Sequence, residues 1–115
     1  MAEKRPVIGL TEKVIVTGHD GISKVITARI DTGATTSSID YKLAAELNLG
    51  PIIETKRIRS AHGRGERPVV RVSIDIAGQH MKKRFTLADR KHMKYPVLIG
   101  QNVLKEGFFL IDPLK

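Results

Sequence analysis

Hydrophobic and polar positions alternate along much of this chain. Over 69–76, Val70, Val72, Ile74 and Ile76 share one face, with Arg71, Ser73 and Asp75 between them. That period of two marks a strand with one buried face. Residues 81–88 repeat the pattern with Phe85 and Leu87 inward, and 77–80 read as the turn between the two. A second hairpin is predicted upstream. Residues 13–17 and 22–30 form its strands, and Gly18-His-Asp-Gly21 its turn. The 52–60 segment reads as a strand with basic outward positions, Lys56, Arg57 and Arg59 around Ile58. Residues 61–68 read as a glycine-bearing excursion. Two short apolar strands are predicted over 96–100 and 108–112, the last ended by Pro113.

The period changes to that of a helix only once. Over 40–49, Leu43, Ala44 and Leu47 share a face, Asp40 or a preceding serine can cap the start, and Gly50-Pro51 stops it. Gln101 to Glu106 reads as a helical turn ended by Gly107. Thr35 to Ser38 carries too many short polar side chains for a helix interior. The pattern predicts an all-β chain with one short α-helix, formed by a single domain over 1–115.

Composition narrows the chemistry. The 115 residues contain no cysteine, so disulfides and thiolate metal sites are excluded. The first residues hold no apolar stretch suited to a signal peptide, and no run approaches a membrane helix. We expect a cytoplasmic protein without membrane contact. The four histidines, 19, 62, 80 and 92, show no ligand spacing, and no Gly-rich loop precedes Lys-Ser or Lys-Thr. Neither a metal nor a cofactor is predicted.

The net charge is +8, from 20 Lys or Arg against 12 Asp or Glu. The excess clusters. Residues 56–71 hold Lys56, Arg57, Arg59, Arg64, Arg67 and Arg71 against Glu66 alone. Residues 82–94 add Lys82, Lys83, Arg84, Arg90, Lys91 and Lys94 against Asp89. Guanidinium forks pair well with carboxylates, which suggests an acidic peptide or protein partner. RNA is the rival. Against it, the few aromatics do not interleave with the basic cluster, and no RNA-binding motif is present.

One short motif carries candidate catalysis. Asp31-Thr32-Gly33 ends the 22–30 strand abruptly and is followed by small residues, Ala34 to Ser38. An Asp there could simply make an Asx turn. It could also supply one half of a carboxylate pair. Two carboxylates sharing a proton can hydrolyse an amide: the ionised one takes a proton from water, and the protonated one donates to the carbonyl oxygen. The triplet occurs once in the chain. A pair therefore needs two chains, and a homodimer is expected. Gly33 permits a tight turn with its N–H aimed at the carboxylate, and the Thr32 hydroxyl can hold the opposing turn.

These residues resemble the retropepsin-like aspartic peptidases, the homodimeric cousins of pepsin. Asp31-Thr32-Gly33-Ala34 falls at that family's catalytic turn. Val97-Leu98-Ile99-Gly100, followed by a short helix, is similar to its second signature. The closer resemblance is to the bacterial and archaeal RimB-like family, also labelled ATP-dependent zinc proteases. It rests on Arg29 to Ala34, Arg67 to Val70, Tyr95 to Gly100 and Phe109 to Pro113, in order. The resemblance implies closure of the strands into a pepsin-lobe barrel, and an aspartic endopeptidase. Asp31, Thr32 and Gly33 would be catalytic, and Leu98, Ile99 and Gly100 would support the turn from behind. Residues 60–67 would form a flap over substrate. Candidate substrate contacts are Ala34, Arg57, Arg59, Ala61, His62, Gly63, Arg64 and Gly65. The family's association with ATP-grasp glutamate ligases implies polyglutamate-tailed substrates and a functional link to such a ligase. The residues support neither the zinc nor the ATP of the label. Position 101 is Gln, where both families usually carry Arg, an ion-pair partner at the viral dimer interface.

Overall fold

The computed structural model describes residues 4–60 and 63–115. Nine strands and two helices succeed one another among them: β1 (Val7–Ile8), β2 (Thr11–Thr17), β3 (Ser23–Ile30), β4 (Ser37–Asp40), α1 (Tyr41–Glu46), β5 (Glu54–Ser60), β6 (Gly63–Ile76), β7 (Gln79–Ala88), β8 (Val97–Ile99), α2 (Gln101–Glu106) and β9 (Leu110–Ile111). Six strands close on themselves in the order β2-β3-β8-β4-β7-β6, and β6 returns to β2. Closure leaves no free edge inside the ring. β5 hangs on the outside of β6, and β1 pairs in parallel with β9 as a separate two-stranded ribbon.

Alternation explains why the ring closes as it does. Val14 and Val16 of β2, Ile26, Ala28 and Ile30 of β3, and Val70, Val72, Ile74 and Ile76 of β6 all point inward. Phe85 of β7 and Val97 and Ile99 of β8 are fully buried among them. β6 is long enough to serve three neighbours. Its first half pairs with β5 from Ser60↔Gly63 to Glu54↔Val69, and its second half pairs with β7 and β2. The hairpin therefore extends beyond the barrel.

Several expectations need correction. There are two short helices rather than one, because 101–106 completes a helix. α1 is shorter than 40–49; Asn48 adopts φ 51, and Leu49 N–H closes back on the Ala44 carbonyl at 2.9 Å. Asp40 is its N-cap, accepting from Lys42 N–H at 3.1 Å. The excursion over 61–68 is mostly strand, since β6 starts at Gly63. The last strand shrinks to two residues because Phe108, at φ 53, turns the chain after α2. β4 goes unpredicted: Ser37-Ser38-Ile39-Asp40 lacks strand-like alternation, yet all four residues are buried. No helix among the described residues is long and apolar enough to cross a membrane.

Candidate active site

β3 delivers Asp31 to the end of the barrel. β3 runs parallel to β8, with Arg29 opposite Leu98 and Ile30 opposite Ile99. The Asp31 N–H extends that ladder by donating to the Ile99 carbonyl at 2.9 Å. The chain then turns. Gly33 N–H donates to Asp31 Oδ1 at 2.9 Å, which fixes the carboxylate as an Asx turn does. Asp31 is half-buried, and Thr32 and Gly33 are exposed. Only Oδ1 of the carboxylate is engaged by this turn.

The turn is held from below by the start of α2. Gln101 N–H donates to the Ala34 carbonyl at 2.8 Å and Asn102 N–H to the Thr35 carbonyl at 3.2 Å. The Gln101 side chain reaches the Thr32 carbonyl at 2.9 Å. Gln101 therefore fastens the turn within its own chain. A buried hydroxyl ties the layers together. Ser37 Oγ accepts from Gly100 N–H and donates to Asn102 Oδ1, both at 2.8 Å, and Ser37 N–H also donates to Asn102 Oδ1 at 3.0 Å. Asn102 in turn donates to the Arg84 carbonyl at 2.8 Å. This network joins β4, β7, β8 and α2 beneath the candidate carboxylate.

The structure brings Asp31, Thr32, Gly33 and Ala34 together with Ile99 and Gly100. Leu98 pairs with Arg29 and Ser38 in the neighbouring strands and also lines a side cavity. Arg57 lines a different cavity, of about 460 Å3, together with Thr36, Lys56, Arg84 and Asn102. Lys56 Nζ donates to Thr36 Oγ1 at 2.7 Å, linking β5 to the chain just after the turn. Gly63 and Gly65 lie in β6, and Arg59 pairs with Arg64 across the hairpin. Ala61 and His62 lie outside the described residues. No group of three or more potential metal ligands forms among the described residues.

Arg29, Ser37, Arg90 and Asn102 were not legible as site residues. Each meets a strand or turn residue 50 or more positions away, and no local pattern announces them. The nearest signal was the run of small polar residues after Gly33, which is too polar for a core unless each hydroxyl has a partner.

A family model described as RimB-like, retropepsin-like aspartic endopeptidase RimB, matches residues 42–115. Among solved structures, the chain is similar to the EIAV protease complexed with the inhibitor HBY-793 (TM-score 0.69, 25% identity, 96% of this chain and 94% of that one). It is also similar to a Legionella pneumophila subsp. pneumophila protein of unknown function (0.68, 21%, 97% and 96%). A third likeness is to the simian foamy virus (mac) protease (0.60, 16%, 83% and 91%). The last two speak to the fold alone. No curated protein matches. The closed six-stranded barrel is the retropepsin, or pepsin-lobe, fold.

Proposed function

The chain belongs to the RimB-like family of retropepsin-like aspartic endopeptidases, and from that premise we propose that it is a homodimeric peptidase whose two Asp31 carboxylates share one catalytic water. One observation carries this reading. The sole Asp-Thr-Gly turn ends a barrel strand, with its carboxylate fixed by Gly33 N–H and its backbone fixed by the Ile99 carbonyl. Preorganisation of this kind is what a carboxylate pair needs, because its geometry then costs nothing to arrange during reaction.

In the proposed reaction the ionised Asp31 removes a proton from water, and the oxygen attacks the peptide carbonyl carbon. The protonated Asp31 of the second subunit gives its proton to the carbonyl oxygen. The tetrahedral diol then collapses: the first Asp31 passes the proton it took from water to the nitrogen, one diol hydroxyl returns a proton to the second Asp31, the C–N bond breaks, and an acid and an amine leave. The exposed Thr32 hydroxyl is free to bond the opposing turn. The β5–β6 hairpin, extending past the barrel, supplies the flap that would cover substrate and exclude water. The β1–β9 ribbon supports the homodimer. Its Val7, Leu110 and neighbouring Phe108 are exposed at 42%, 45% and 61%, an apolar strip that a second copy would cover.

The substrate class follows from charge. Lys56, Arg57 and Arg84 border the cavity beside Thr36 with Glu54, which pairs with Arg84 at 3.6 Å, and the remaining positive charge favours an acidic, glutamate-rich peptide as substrate. An ATP-grasp glutamate ligase as functional associate rests on the family resemblance alone. Digestion of a peptide library by wild type and by Asp31→Asn tests the class. Cleavage by the first alone is expected. Equal cleavage by both proteins would refute the assigned chemistry.

A further inference from the structure

Arg90 is a buried guanidinium that no carboxylate answers. Only 9% of it is exposed. Its Nε donates to the Tyr95 carbonyl at 2.9 Å, and Nη1 makes a long contact of 3.5 Å with Ser38 Oγ. The nearby Asp40 is committed to main-chain donors. Its Oδ1 accepts from Arg90 N–H at 2.8 Å, and its Oδ2 accepts from Lys42 N–H. None of the ion pairs among the described residues involves Arg90. A guanidinium has five N–H donors, so most of this one's capacity is unspent. No buried side-chain nitrogen among the described residues lacks a partner, so the unspent donors of Arg90 lie in accessible space, open to an anion.

The surroundings reinforce the point. Burial, then the positive charges of Arg67 and Arg29, push the Arg90 guanidinium below its ordinary pKa; Asp40 and Asp31 only partly oppose this. Arg90 lines a cavity of about 400 Å3 together with Arg29, Met93, Lys94, Tyr95 and Leu98. Arg29 is two residues before Asp31 and opposite Leu98 in the parallel ladder. Arg90 is the one buried residue of the six, and Arg29, Met93 and Lys94 are exposed.

We propose that this cavity is a carboxylate subsite beside the scissile bond, with Arg90 and Arg29 as its specificity-determining residues. It rests on the peptidase reading above and gives one acidic side chain of the substrate a definite place. A glutamate suits it better than an aspartate. Its longer stem can pack along Leu98 and Tyr95 while the carboxylate reaches the open donors of Arg90. Arg29 and Lys94 close the charge from the rim. The fork geometry favours a planar carboxylate, which accepts two parallel N–H bonds.

Binding tests this without cleavage. The Asp31→Asn protein is titrated with two fluorescein-labelled peptides, one alternating Gly with Glu and the other Gly with Gln. The Glu peptide is expected to bind more tightly. That preference should fall about tenfold on adding Arg29→Gln or Arg90→Lys. It should change by no more than about twofold on adding Lys82→Gln, which removes the same charge from the exposed outer face of β7. An equal fall with Lys82→Gln, or no fall with Arg29→Gln, overturns the subsite. Should Arg90→Lys fail to fold, Arg29→Gln at the exposed rim decides alone. The two readings separate cleanly. If the wild type cleaves neither peptide but the binding pattern holds, the peptidase reading fails and the anion site stands. If it cleaves both alike and Arg29→Gln leaves binding unchanged, the reverse is true.

Discussion

Gly100 lies where the Asp31 turn meets the start of α2. A Cβ there would come within 2.8 Å of the Ala34 carbonyl oxygen and 2.9 Å of the Thr36 carbonyl carbon. Both are main-chain atoms, so relief requires moving the turn. Gly100→Ala is expected to cost about 1–3 kcal/mol in urea denaturation. Cleavage by the remaining folded protein should fall as well, because the displaced segment carries the candidate carboxylate. Unchanged stability would show that the turn yields easily. Gly107 makes a similar point about reading residues. It looks like a helix stop in the sequence, yet Phe108 takes the left-handed position. Gly107 is required because a Cβ would strike the Phe109 ring at 2.2 Å.

At the scale of elements, β4 shows what sequence pattern conveys and what it does not. The hairpin of β2 and β3, and the strands β6 and β7, were legible because their apolar residues alternate. The helix start at Asp40 was legible because capping chemistry is local. β4 was not, because its polar side chains are buried and partnered by residues far along the chain. Ser37 needs Asn102 and Gly100, and Asp40 needs Arg90. The Asp31 turn was legible as a motif, but the Arg29–Arg90 cavity was not, since β3, β8 and the 89–96 loop build it together. Asp40 joins two elements at once, capping α1 and anchoring the chain after β7. Asp40→Ala should therefore cost more than a simple cap, about 2–3 kcal/mol by urea denaturation. A loss under about 0.5 kcal/mol, typical of an unconnected surface site, would contradict that dual role.

For the whole molecule, the net charge of +8 sets how partners arrive. If acidic peptides are substrates, kcat/KM for them should drop severalfold between ~0.05 and ~0.5 M salt, as the screening length shortens. Gln-substituted peptides should change little. Equal salt response for both would remove charge from the account of specificity.

One barrel carries one Asp-Thr-Gly, so the central claim is that two protomers build one site. Co-refolding wild type with an equal amount of Asp31→Asn tests it directly, at constant total protein. If one site needs an Asp31 from each chain, random pairing leaves about a quarter of the activity of the unmixed wild type. Half the activity would mean that each chain works alone, and the shared site would be wrong.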